Sequence, residues 1–145
     1  MTTSIPNENK VIGQVSRLRD LSHGFLIEAM RAEGIHGLVP SHGEILLALH
    51  LNDALNMQEI ATLVGRSKPT VTILVDKLLL LKTVKKQRSS IDGRVFEVSL
   101  TAKGRKLIGR LGDISALMHQ KIDNILSPAE KKQLSTLLGK LNKHW

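Results

Sequence analysis

Apolar residues recur at helical spacing along most of this chain and alternate at strand spacing in one short stretch. The first helical stretch runs from about Asn7 to Glu33. Val11, Val15, Leu18, Phe25, Leu26, Ala29 and Met30 fall near one face, and Gly34 and Gly37 end it. After Pro40, Ser41 is followed three residues later by Glu44. That spacing predicts a capping box opening a helix to about His50. Asn56 and Glu59 repeat the logic for a short helix from Met57 to Val64. Gly65-Arg66 predicts a tight turn, since glycine accepts a left-handed helix end. A further helix follows from Lys68 to about Leu81, with Ser67 as its N-cap and Pro69 tolerated in its first turn. Then the period changes. Phe96, Val98 and Leu100 alternate with Val95, Glu97 and Ser99, which predicts a half-buried strand with the second set on its outer face. Thr101 can cap a long helix through Leu126, striped by Leu107, Leu111, Ile114, Met118, Ile122 and Ile125. Ser127-Pro128-Ala129-Glu130 opens a last helix, striped by Leu134, Leu138, Leu141 and Trp145.

Helix, turn, helix and charged hairpin, in that order, make a winged helix-turn-helix. The expected fold class is therefore mainly α with a small β wing. At 145 residues the chain is about one domain in size. Residues 38–104 form the winged region. Residues 1–37 and 105–145 are helical flanks with no place in a compact winged core. Their stripes must bury against each other or against a second chain, and the expected arrangement is a homodimer through the terminal helices. A monomeric helical cap is the alternative.

Charge sharpens this picture. The net charge is +8. From Lys82 to Arg110, nine basic side chains face only Asp92 and Glu97. A localised basic field suits a polyanionic partner; a solvated face that aids solubility is the plainer explanation of a charge run. Aromatic content is 2%, with no Tyr, which argues against modules that stack single-stranded bases. Double-stranded DNA is the expected partner.

In the two central helices, Ile60, Ala61 and Val64 should face the core, and so should Val71, Leu74, Val75 and Leu78. The outward set holds the candidate contacts Ser67, Lys68, Pro69, Thr70, Thr72, Ile73 and Lys77. Lys68 reaches a phosphate or guanine from the helix start, and Thr72 offers a hydroxyl and a methyl. Ile73 offers only apolar contact, as to thymine methyls. Lys77 suits a backbone contact or an ion pair. For Thr70 and Thr72, capping and ordinary surface polarity are the competing roles. Arg88, Asp92 and Arg94 surround the hairpin tip, where Arg94 suits a narrow minor groove and Asp92 pairs with a neighbouring cation.

Other chemistries find little footing. There is no Cys, so disulfides and thiol chemistry are excluded. The six histidines show no chelating spacing, so no metal and no cofactor is expected. No nucleophile motif or glycine-rich phosphate loop is present, so no enzyme is expected. Residues Met1 to Lys10 are polar and unlike a signal peptide. No apolar run could span a bilayer, so no membrane partner is expected and the cytoplasm is the expected location.

These residues together resemble the multiple antibiotic resistance regulator (MarR) family of bacterial winged-helix repressors. The matches are Glu59-Ile60-Ala61, Thr70-Val71-Thr72, Leu74-Val75-Asp76-Lys77-Leu78, Asp92-Gly93-Arg94 and Leu100-Thr101-Ala102-Lys103-Gly104. The resemblance implies a homodimeric, sequence-specific DNA-binding repressor on a palindromic operator. It also implies release by a small aromatic or anionic ligand between the terminal helices and the winged region, where His23 and His42 are candidate linings. Two positions depart from the pattern. Ile73 stands where the family often carries a basic residue. Lys82 stands where a glycine commonly follows the helix, so that C-cap must differ or be strained. Both favour the alternative function, a winged-helix protein-interaction module without DNA readout.

Overall fold

The computed structural model describes residues 10–145. The chain runs α1 (Val11–Ala32), α2 (Pro40–Asn52), β1 (Ala54–Asn56), α3 (Met57–Val64), α4 (Lys68–Leu80), β2 (Val84–Arg88), β3 (Phe96–Leu100), α5 (Ala102–Asp123) and α6 (Pro128–His144). The expected start of the first helix at Asn7 lies outside the described residues. Among the described residues no helix is long and apolar enough to cross a membrane.

The core is built where the helical and strand periods converge. Ile45, Leu46 and Leu49 of α2 are fully buried, as are Ile60 of α3, Val71, Val75 and Leu78 of α4, and Val98 of β3. Val64, expected in this core, is only half-buried at the end of α3. The flanks are not separate from the core: Met30 of α1 and Ile114 of α5 are buried in it.

The sheet has the order β1-β3-β2, antiparallel throughout. Leu55 and Lys86 flank Val98 on either side. Strand β1 is too short to show a periodicity, and the sequence reading lacked it. Its presence makes β3 central in the sheet. The expected faces hold only in part: Phe96, expected inside, is exposed, and Ser99, expected outside, is buried. Val98, Ser99 and Leu100 are all buried, and α2, α3 and α5 pack against their strand. Ser99 Oγ is left without a hydrogen-bond partner.

Two of the three expected capping boxes form as written. Asn56 Oδ1 accepts the Glu59 N–H at 2.9 Å, and the Asn56 N–H donates to Glu59 Oε2 at 2.8 Å. Ser127 and Glu130 do the same, and the hydrogen bonds from Ser127 hold the Glu130 carboxyl below its usual pKa. The box expected from Ser41 and Glu44 does not form. Pro40 begins the helix two residues earlier, so Val39 is the N-cap and His42 takes the third helical position. The Val39 N–H donates to His42 Nδ1 at 2.9 Å. Glu44 pairs instead with Arg66, 3.4 Å away at the α3–α4 turn.

The end of α4 carries the strain that Lys82 implied. Lys82 has φ of 59°, a left-handed conformation that costs a residue with a Cβ roughly 1–2 kcal/mol. It closes a Schellman motif, with the Lys82 N–H on the Leu79 carbonyl and the Thr83 N–H on the Leu78 carbonyl. The start of α5 then caps what remains. Thr101 Oγ1 donates to the Lys82 carbonyl at 2.7 Å, and Lys103 Nζ donates to the Leu81 carbonyl at 2.9 Å. Gly104 is required at this joint, because a Cβ there would lie 1.9 Å from the Thr83 carbonyl oxygen.

The ends of the chain look different. Val11, Ile12, Val15, Leu18 and Leu21 of α1 are exposed. No residue of α6 is buried, and Leu134, Leu137, Leu141 and the adjoining Trp145 are all exposed.

Candidate nucleic-acid interface

Helix α4 presents its N-terminal half to solvent. Gly65 turns the chain with φ of 63°, and Ser67 then caps the new helix, its Oγ accepting the Thr70 N–H at 3.3 Å. The same Oγ lies 2.9 Å from Thr70 Oγ1, so one of the two hydroxyl protons is used between them. Thr72 Oγ1 donates back to the Lys68 carbonyl at 2.9 Å. Ser67, Lys68, Pro69, Thr70, Thr72 and Ile73 are all exposed, and Ile73 reaches 72%. Lys77 stands apart from this set. It follows Ile73 by one helical turn, on the same side of α4. It is half-buried, with its ammonium beside the Gly37 loop.

The hairpin tip is an ordered construction. The Ser89 N–H donates to the Val95 carbonyl at 2.8 Å, and Ser89 Oγ accepts from the Ile91 and Asp92 N–H groups. Asp92 accepts from Arg94 three times: from its backbone N–H at 3.0 Å, from Nε at 3.2 Å and from Nη2 at 3.3 Å. The Arg94 guanidinium, followed by its N–H, holds the Asp92 carboxyl below its usual pKa. The Arg94 side chain is nevertheless 91% exposed. Asp92 therefore aims this cation into solvent without covering it.

Behind the tip, Arg88 Nη1 donates to the Gly93 carbonyl, and the Arg88 guanidinium lies 5.0 Å from the Phe96 ring centroid. Lys86 Nζ lies 5.3 Å from the same ring. The ring attracts both cations and holds them on one surface. Sequence reasoning did not single out Lys86 or Phe96. The signal was present, because alternation puts Lys86 and Arg88 on one face and Phe96 pairs directly with Arg88.

These pieces meet in one groove of about 410 Å³. Lys68 from α4 lines it together with Lys86, Arg94 and Phe96 from the hairpin and Asn56 and Gln58 from the start of α3. Among these six no carboxylate appears. The groove is thus cationic, open and flanked by an exposed helix end, which fits it to a chain of anions.

A second hollow, of about 420 Å³, lies between α2 and α3. Leu47, Leu51 and Leu63 line it beside the Glu44–Arg66 pair. Neither hollow includes His23 or His42. His23 is half-buried on α1, and His42 is buried in the first turn of α2. Burial holds the His42 pKa below the ordinary value, and the charge of Lys77 acts in the same direction. Among the described residues no three metal-ligating side chains come together.

No protein-family model matches the chain, and no curated protein matches it by sequence. Solved structures do match. BpsR of Bordetella bronchiseptica, studied for the regulation of its DNA binding by 6-hydroxynicotinic acid, superimposes with a TM-score of 0.83 at 20% identity. The match covers 92% of this chain and 94% of BpsR. The transcriptional repressor CouR, bound to a 23-mer DNA duplex, matches with a TM-score of 0.82 at 22% identity, over 98% of this chain and 99% of CouR. A variant of MarR from E. coli, complexed with operator DNA, matches with a TM-score of 0.83 at 18% identity, over 96% of this chain and 99% of its own. The chain has the winged-helix fold that these DNA-binding regulators share.

Proposed function

We propose that the chain is a transcriptional regulator of the MarR type, a repressor that binds a palindromic operator as a homodimer. The observation that carries this is the single groove lined by Lys68 of α4 and by Lys86 and Arg94 of the hairpin. A helix end and a hairpin that share one cationic groove can engage base edges and backbone of one duplex together. In this reading Ser67, Lys68, Pro69, Thr70, Thr72 and Ile73 face the major groove. Arg94, aimed by Asp92, enters the minor groove, and Arg88 supports the tip. Lys77, half-buried one turn after Ile73, contributes a backbone contact at most. That CouR and the MarR variant were seen on DNA supports the reading.

The exposed stripes of α1 and α6 support a dimer through the terminal helices, with two reading helices about one DNA turn apart. BpsR supports release by a small aromatic or anionic molecule. Its site on this chain would lie between the terminal helices and the winged region, near His23 and His42. The test is selection of bound duplexes from a random pool. Recovery of a palindrome is the expected result. Binding that ignores sequence, or no binding, would contradict the reading and favour a protein-interaction module.

A further inference from the structure

Helix α4 is unusual in what its outward face offers. Ile73 stands 72% exposed on it. That side chain takes no part in the core. Its branched Cβ also restricts its rotamer, so the group is held rigid. Nearby polar groups are already engaged. Thr72 gives its hydroxyl proton to the Lys68 carbonyl, leaving a methyl group and a lone pair to offer. Ser67 and Thr70 bond to each other. Pro69 has no N–H, and Lys68 lines the groove shared with the hairpin. From Pro69 to Ile73 the face therefore carries methyl and methylene groups. It has no Arg, Asn or Gln, the side chains that read purine edges with paired hydrogen bonds.

The major groove displays one apolar group that such a face can read, the C5-methyl of a pyrimidine. We infer that the chain selects its sites by pyrimidine C5-methyl groups, with Ile73 as the specificity-determining residue. This rests on the proposed reading of duplex DNA. Thymine and 5-methylcytosine carry the same methyl, so both satisfy Ile73. The hydrogen-bonding edges of the two bases differ, and the methyl contact is indifferent to them.

The test uses the full chain and a duplex recovered from the random pool. Each thymine is replaced in turn by uracil, which removes only the methyl. At one thymine in each half-site, the change should weaken binding about fourfold per half-site, the effect expected for one buried methyl-sized group. Ile73→Ala should abolish the difference between thymine and uracil there. With cytosine at that position, C5-methylation should recover about the same factor in the wild type and nothing in Ile73→Ala. The melting temperature of Ile73→Ala should match the wild type, because the side chain is exposed. Uracil tolerated at every position of a site that is still bound sequence-specifically would overturn the inference and leave the DNA-binding reading standing. So would an Ile73→Ala variant that weakens thymine and uracil duplexes equally. Failure of the wild type to select any duplex would overturn both.

Discussion

The winged region and the two end helices are made of similar residues but treat them differently. Between α2 and β3, Ile45, Leu46, Leu49, Ile60, Val71, Val75, Leu78 and Val98 are fully buried, and Met30 and Ile114 from the flanking helices join their core. In the first half of α1 and throughout α6 the same residue types stand in solvent. Amphipathic helices of this kind gain stability only when a partner covers the apolar stripe. The middle of the chain is thus packed within the chain itself, and the outer ends are left to be completed by another surface. The proposed function needs that division: a fixed shape to match DNA, and a part that sets the spacing of two such shapes.

The largest expected effect falls on the ends. Leu138→Asp puts a carboxylate into the α6 stripe and should cost about 2–5 kcal/mol of dimer stability. Light scattering at micromolar concentration should find a dimer for the wild type and a monomer for the variant. A monomeric wild type would show that no second copy covers the terminal stripes.

The next effect falls on the hairpin. Arg94→Ala should weaken duplex binding at least about tenfold, or roughly 1.4 kcal/mol, with little change in melting temperature. Asp92→Ala should also weaken it, although it removes a negative charge near a polyanion, because Asp92 aims the guanidinium. Tighter binding by Asp92→Ala, measured by fluorescence anisotropy, would reduce the hairpin to a diffuse basic patch.

The smallest effect separates the rigid region from the ends by pH. His42 is buried with its pKa held below the ordinary value of 6.5. As pH falls through 6.5, the unfolded chain takes up a proton that the folded chain refuses. The stability that neutral His42 supplies is whole above that pH and declines below it. Asn at this position keeps an acceptor for the Val39 N–H and cannot take the proton. Melting temperatures between pH 7.5 and 5.5 should fall less for His42→Asn than for the wild type. Equal slopes would show that another group governs the decline.

Most of the winged region was legible because its signals are local. Gly65, Ser67 and Pro69 specify a turn and a helix start within five residues, and the Asn56 and Ser127 boxes act over three. The errors came where a distant partner decides. Ser41 and Glu44 had the spacing of a box, but Pro40 shifted the helix start and Arg66 claimed the carboxylate. Ser99 holds an outward position in the alternation, yet it is buried in a strand that α2, α3 and α5 pack against. Lys82 was legible as a strained cap, while the Thr101 and Lys103 bonds that complete it were not. At the candidate site, single residues could be read from type and position. That Lys68, Lys86 and Arg94 share one groove depends on how the hairpin folds over α4, which no local pattern contains.

The central claim is that this groove engages the phosphates of a duplex while α4 reads its bases. The salt dependence of affinity for a selected duplex tests it most directly. About six to ten phosphate contacts per dimer release their counterions on binding, so affinity should fall by roughly 10³–10⁵ between 50 and 200 mM salt. An affinity that stays flat across that range would contradict the account.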